Sequence, residues 1–227
     1  MNKLALLVGS SLIAGMTIAA DQESAITQST DLELTVPSGE TWTYDKTITL
    51  TDGAKLVKKG VGTLVLSAGD NSFDGGVELQ QGFLRADAEG ALGSKKIVLS
   101  STSSRRLVFN AEGATFSNDI EQTAAGYYEW NTSQIEVKKT TRLTGDVLSP
   151  AGNLCRAALT AGATLEVDGT VDMGERNLEF DNATVITFNG SIICNELHSG
   201  RGWDSKGAVY IKNTSNAIRR ICQDGSI

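Results

Sequence analysis

From Leu32 onward the chain is built of short segments of alternating polarity, rich in β-branched residues and each stopped by Gly, Asn, Asp or Ser. They include residues 32–36, 47–50, 63–66, 97–99, 107–109, 134–137, 163–167, 184–188 and 208–211. In Thr63-Leu64-Val65-Leu66 the two leucines fall on one face, and in Thr164-Leu165-Glu166-Val167 the pair Leu165 and Val167 does so while Glu166 turns to water. A period of two over a few residues is the signature of a strand, not of a helix. The longer glycine-free stretches, such as residues 94–112, are filled with Ser and Thr, whose hydroxyls offer the backbone competing hydrogen bonds and disfavour helix interiors. The chain is predicted to be all-β.

Strands of this kind either pair as hairpins in a sandwich or stack as rungs of a solenoid. A sandwich calls for tight two-residue turns and more proline in its loops than the 2 found in 227 residues. A solenoid calls for a recurring phrase, and one recurs: Gly53-Ala54-Lys55-Leu56, Gly113-Ala114-Thr115-Phe116 and Gly162-Ala163-Thr164-Leu165, with Asn182-Ala183-Thr184-Val185 as a variant. Asn is the ordinary substitute for Gly where a turn needs positive φ. The phrases are spaced compatibly with whole numbers of coils of about twenty residues. They are read as turns that lead into strands, with Leu64, Leu66, Leu84 and Leu99 as inward positions.

One stretch resembles a known family. It contains Leu56-Val57-Lys58-Lys59-Gly60-Val61-Gly62-Thr63-Leu64-Val65-Leu66, then Asn71-Ser72-Phe73-Asp74-Gly75-Gly76-Val77, Gln81-Gly82-Phe83-Leu84 and Ala91-Leu92-Gly93. This order is similar to the passenger-associated transport repeat of autotransporter passengers, in which a lysine and glycines lead into Gly-Thr-Leu-x-Leu. An Asn-x-aromatic-x-Gly-Gly turn, a Gly-x-Leu strand and an Ala-Leu-Gly turn follow. Ala68, Phe73 and Val77 depart from the usual glycine, tyrosine and threonine. The resemblance implies a right-handed parallel β-helix, incomplete or truncated, and a non-enzymatic passenger on the cell surface or in the medium. The expected organisation is a signal peptide over 1–20, a polar leader or cap over 21–30, and β-helix over 31–149 with one repeat at about 55–99. Further solenoid strands are expected over 150–227.

The first twenty residues agree with export. Lys3 supplies a positive start, Leu4 to Ala20 is uncharged, and small residues precede Asp21, so cleavage is expected near Ala19 or Ala20. The run is short and weakly apolar for a membrane span. The last residues, Asp224 to Ile227, show neither an amphipathic cap nor alternating barrel strands, from which a fragment or truncated product is expected. The net charge of −7 at pH 7, with basic residues only in separated doublets such as Lys58-Lys59 and Arg219-Arg220, argues against nucleic acid as a partner. Cys155, Cys194 and Cys222 are an odd number, open to one bridge plus one thiol or to three small buried apolar residues. Asn131, Asn182, Asn189 and Asn213 each begin an N-x-[ST] triplet, which matters only in a eukaryotic secretory route.

Chemistry is sparse. One histidine and three scattered cysteines cannot build the usual zinc sites, and the calcium-binding Gly-Gly-x-Gly-x-Asp repeat is absent, so Asp70 to Asp74 reads as a turn. No catalytic, cofactor or metal residues are assigned. The alternative reading is a carbohydrate-active β-helix enzyme, a polysaccharide lyase or hydrolase. It needs Asp168, Asp172 or Asp181, with Glu166 and Glu179 nearby, to converge in one groove. His198 has no partner spacing that singles it out, and no Gly-x-Ser-x-Gly elbow exists. A carbohydrate-binding module is the third reading, on Tyr127, Tyr128 and Trp130, with Trp42 and Trp203 elsewhere. The leading expectation is an exported structural or adhesive solenoid whose partners are cell-surface glycans or neighbouring or host proteins, with no membrane span in the mature chain.

Overall fold

The computed structural model describes residues 24–100, 105–123, 134–149, 154–175, 177–181, 185–199, 208–212 and 217–223, and every regular element among them is a strand. The first coil holds β1 (Ile26–Gln28), β2 (Leu32–Thr35) and β3 (Thr41–Tyr44). The next two hold β4 (Ile48–Leu50), β5 (Leu56–Lys59) and β6 (Thr63–Leu66), then β7 (Ser72–Phe73), β8 (Val77–Leu79) and β9 (Gly82–Ala86). The fourth lacks a first strand and has only β10 (Ile97–Leu99) and β11 (Arg105–Phe109). Three full coils follow: β12 (Ala114–Phe116), β13 (Ile120–Gln122) and β14 (Ile135–Val137); β15 (Thr141–Leu143), β16 (Val147–Leu148) and β17 (Leu154–Leu159); β18 (Thr164–Val167), β19 (Val171–Asp172) and β20 (Asn177–Asp181). The last elements are β21 (Val185–Phe188), β22 (Ile192–Ser199), β23 (Ala208–Ile211) and β24 (Ala217–Gln223).

Each strand pairs in parallel with its counterpart one coil away: Leu64 lies between Trp42 and Leu84, and Ile97 between Val77 and Ile120. The structure is therefore a parallel β-solenoid with three faces. The second strands run β2-β5-β8-β10-β13-β16-β19-β22 and the third strands β3-β6-β9-β11-β14-β17-β20-β22, and long β22 joins the two faces into one sheet. The first face is split into β1-β4-β7 and β12-β15-β18-β21-β23, because the fourth coil crosses it as turns at residues 88–96. The segments expected from alternation coincide with these strands. β1 lies inside the stretch expected as a polar leader.

Alternate side chains fill a narrow interior. Leu64, Leu66, Leu84 and Leu99, the expected inward residues, are each no more than 2% exposed. Full burial of such a side chain is worth about 1.5–3 kcal/mol. The aromatic rings meet in pairs between neighbouring turns: Phe109 and Phe116 centroids lie 4.7 Å apart, and Phe180 and Phe188 5.7 Å apart. The Gly-Ala phrases do form turns into strands. Gly53, Gly113 and Gly162 all have positive φ, and Ala54, Ala114 and Ala163 are buried behind them. They do not mark one repeat position, however: Gly53 leads into β5 on the second face, whereas Gly113 and Gly162 lead into β12 and β18 on the first. Asn182 lies outside the described residues. No helix among the described residues is long and apolar enough to cross a membrane; strand-based crossing is a separate matter.

Candidate functional surface

A solenoid offers two kinds of site, its corners and the outward columns of its faces. The most elaborate corner joins β5 to β6 and is bonded to the corner between β8 and β9 in the next coil. Lys58 sits at an inward position, flanked in register by Leu34 and Leu79, and is fully buried. Its Nζ donates to the carbonyls of Lys59 and Gly60, each at 2.7 Å, and to that of Gln81 in the next coil at 3.1 Å. Burial pushes this ammonium down from the ordinary 10.5 to about 8. Directly above, Gly82 has φ of 71° and approaches so closely that a Cβ there would collide with the carbonyl oxygens of Gly60 and Gly62. The corner thus needs a long cationic donor inside and bare backbone outside.

The next corner is held by a buried amide. Asn71 Oδ1 accepts the Ile48 N–H at 2.8 Å, and its Nδ2 donates to Ala91 at 2.8 Å and Ala68 at 3.3 Å, so one side chain ties three coils. Phe73 follows in β7 at 1% exposure and fills the core. Lysine, paired glycines, Leu-x-Leu, Asn-x-aromatic and Gly-x-Leu are therefore one mechanical unit, in which these residue types hold adjacent coils together or fill the core between them.

Residues 56–86 match the family model described as Passenger-associated-transport-repeat. No curated protein and no solved structure matches the chain. The transport repeat spans β5 to β9, which includes the Lys58 corner and the Asn71 tie. Together with the stacked parallel coils around it, the match fits a passenger segment of an autotransporter, a family context of structural rather than catalytic segments.

The outward columns carry charge in inter-coil pairs. Lys55 meets Glu78 at 3.1 Å, Lys96 meets Glu121 at 2.7 Å, Arg106 meets Glu136 at 2.9 Å, and Arg142 meets Asp168 at 2.6 Å. Arg106 also lies over the Phe83 ring, 5.3 Å from its centroid. Glu78 accepts from Gln80, Ser100 and Lys55, and these bonds hold its carboxyl below the usual carboxylate range. Asp168 is held down likewise, first by Asn189 and then by Arg142.

The three aspartates of the enzyme reading lie on three different faces, and the one carboxylate that meets any of them among the described contacts is Glu166, beside Asp168. Asp168 follows β18 on the first face, Asp172 lies in β19 on the second, and Asp181 ends β20 on the third. Asp168 and Glu166 share the amide of Asn189, while Asp172 caps its own turn by accepting the Gly174 N–H. Glu179 is buried on the third face. Among the described residues no group of three or more His, Cys, Asp or Glu is placed to hold a metal ion. Asp70 behaves as a turn residue, accepting from the Thr47 hydroxyl at 2.7 Å.

Tyr127, Tyr128, Trp130 and Trp203 lie outside the described residues, as do Asn131 and Asn213. Trp42 is 7% exposed and donates its Nε1 hydrogen to Glu40, so it is a core residue rather than a stacking platform. Cys194 is a buried free thiol, pushed up to about 11 by burial. Sequence reasoning missed the Lys58 corner, since a lysine in an apolar run reads as solvated. It also missed the pairing of His198 with Glu196, 2.9 Å apart on β22.

Proposed function

We propose that this chain is an exported β-solenoid segment of a bacterial surface or secreted protein, acting as a stalk with an adhesive outer surface. The observation that carries the reading is the transport repeat lying within an uninterrupted inter-coil register on the second and third faces. Such a stack gains length by adding coils, each about 4.8 Å along the axis, which suits a spacer. Its apolar side chains are spent inside, and its outer columns are polar and largely paired, which leaves adhesion to polar partners such as cell-surface glycans or neighbouring proteins.

Export is tested by producing the chain in a Gram-negative host with a membrane barrel fused behind Ile227, then treating whole cells with protease. Processing near Ala19 or Ala20 by mass spectrometry, with surface-exposed chain, is the expected result; an unprocessed chain retained in the cytoplasm would overturn it. The adhesive part is tested separately by binding of the purified protein to immobilised surface polysaccharide. Release of shorter oligosaccharides in that assay would favour the carbohydrate-active enzyme instead.

A further inference from the structure

The first face is broken where the fourth coil crosses it as turns at residues 88–96. β12 therefore has a strand partner on one side only, in β15, and on its other side a side chain takes over: Glu89 Oε2 accepts the Thr115 N–H at 3.0 Å. A cleft of about 250 Å³ opens at this break, bounded by the turns of the fourth coil and by residues 115–118. Part of its lining must be bare backbone. Gly90 has φ of 77°, and a Cβ there would collide with the carbonyl oxygen of Gly69 in the preceding coil.

The cleft is rich in acceptors. Asn118, which lines it, is 2% exposed, and its Nδ2 donates to the carbonyls of Leu92, Gly93 and Lys95 at 3.4, 3.1 and 2.6 Å. These bonds fix the amide and leave Oδ1 buried without a hydrogen-bond partner, a costly state that native structures seldom keep. Glu89, Ser94, Thr115 and Ser117 complete the polar lining, and Phe116 adds an apolar wall. A carboxylate and an amide oxygen can only accept, so the ligand they suit carries N–H or O–H donors. None of the described lining residues is basic, and Lys96 is drawn off to Glu121, so an anionic group would meet no counter-charge there. The space is below the roughly 300–1,000 Å³ of a pocket for a drug-sized molecule and suits a single sugar ring.

We propose that the cleft at the fourth coil binds one hexosamine unit at the end of a surface glycan. Glu89 and the free oxygen of Asn118 accept from the ammonium group of the sugar, the hydroxyls of Ser94, Thr115 and Ser117 exchange hydrogen bonds with its own hydroxyls, and Phe116 meets its C–H face. The net charge of −7 adds a long-range attraction for a cationic sugar. The site rests on the adhesive reading of the chain and gives that reading a place and a sugar class.

The test is titration of the full folded chain with glucosamine, glucose, glucose 6-sulfate and calcium chloride, followed through backbone amide shifts in nuclear magnetic resonance. Glucosamine should move the amides of residues 89–94 and 115–118 with a dissociation constant on the order of 1 mM, as befits so small a ligand. Glucose should bind about fivefold more weakly, and the sulfate ester should leave these amides unmoved. Glu89→Gln keeps an acceptor for Thr115 but loses the charge, and should bring the two neutral-ring sugars to equal affinity. Ser117→Trp, at an exposed position on the rim, should fill the cleft and abolish both. No shift with glucosamine, wild-type affinity for glucose equal to that for glucosamine, the same shifts produced by calcium chloride alone, or binding that survives Ser117→Trp would each overturn the site. The wild-type titrations decide even where a variant fails to fold. If immobilised polysaccharide still captures the chain while glucosamine leaves the cleft empty, the site falls and the adhesive reading stands; capture that fails while glucosamine fills the cleft gives the reverse.

Discussion

At the residue scale, the transport repeat depends on contacts that tolerate little change. Lys58→Met keeps the bulk of the side chain but leaves the carbonyls of Lys59, Gly60 and Gln81 without their donor, at about 1–3 kcal/mol for a buried polar group left unmade. Its titration has a definite sign. The folded value of about 8 lies below the ordinary 10.5, so between them the unfolded chain binds more protons and stability rises with pH. The increment approaches ~3 kcal/mol at alkaline pH and is absent below the folded value. Denaturant midpoints measured from pH 7 to 10 should climb in the wild type and stay flatter in Lys58→Met. Gly82→Ala forces a Cβ against two carbonyl oxygens of the preceding coil and adds positive-φ strain; we expect a loss of about 2–4 kcal/mol by thermal or urea unfolding. Asn71→Ala removes two ties between coils and one within its own turn, and should cost about 2–3 kcal/mol in the same measurement.

At the scale of the strand and its neighbours, stability is shared between inward leucines and outward ion pairs. Glu78 and Asp168 have carboxyls depressed in the folded state, so each contributes stability above the unfolded carboxylate value, and that contribution fades as pH falls through the folded one. Unfolding between pH 6 and pH 3 should therefore become easier, and Glu78→Gln should flatten the slope at a cost of no more than about 1 kcal/mol at neutral pH. The strands were legible in the sequence because period-two alternation is imposed directly by the pleat: Thr63–Leu66 and Ala208–Ile211 can be read residue for residue. Which face a strand joins was not legible. Gly53 and Gly113 open identical phrases on different faces, since the turn chemistry is local and the coil length between them is set by loops. The missing first strand of the fourth coil also escaped notice: Ala91 and Leu92 are apolar and buried, yet cross the face as turns while Asn71 and Asn118 take up the freed carbonyls.

At the scale of the whole molecule, nearest-neighbour stacking makes the coil the natural unit of gain or loss. Deleting residues 56–76 would join Lys55 to Val77, which is the register partner of Leu56, and so return the chain to the same place one coil shorter. That deletion should retain the far-ultraviolet strand signal and lower the denaturant m-value, because less surface is exposed on unfolding. Removing residues 56–66 instead takes out part of a coil, puts the wrong faces together, and should abolish cooperative unfolding. The parallel ladder has a further consequence when the ends of the chain are pulled apart. Its hydrogen bonds run along the axis between rungs, so tension loads them one row at a time, like opening a zip, rather than shearing a whole sheet at once. Single-molecule stretching should then show a train of small, similar rips, each releasing on the order of 70 Å for a rung of about twenty residues. A tether of that kind would yield by steps under drag and rewind when the load drops.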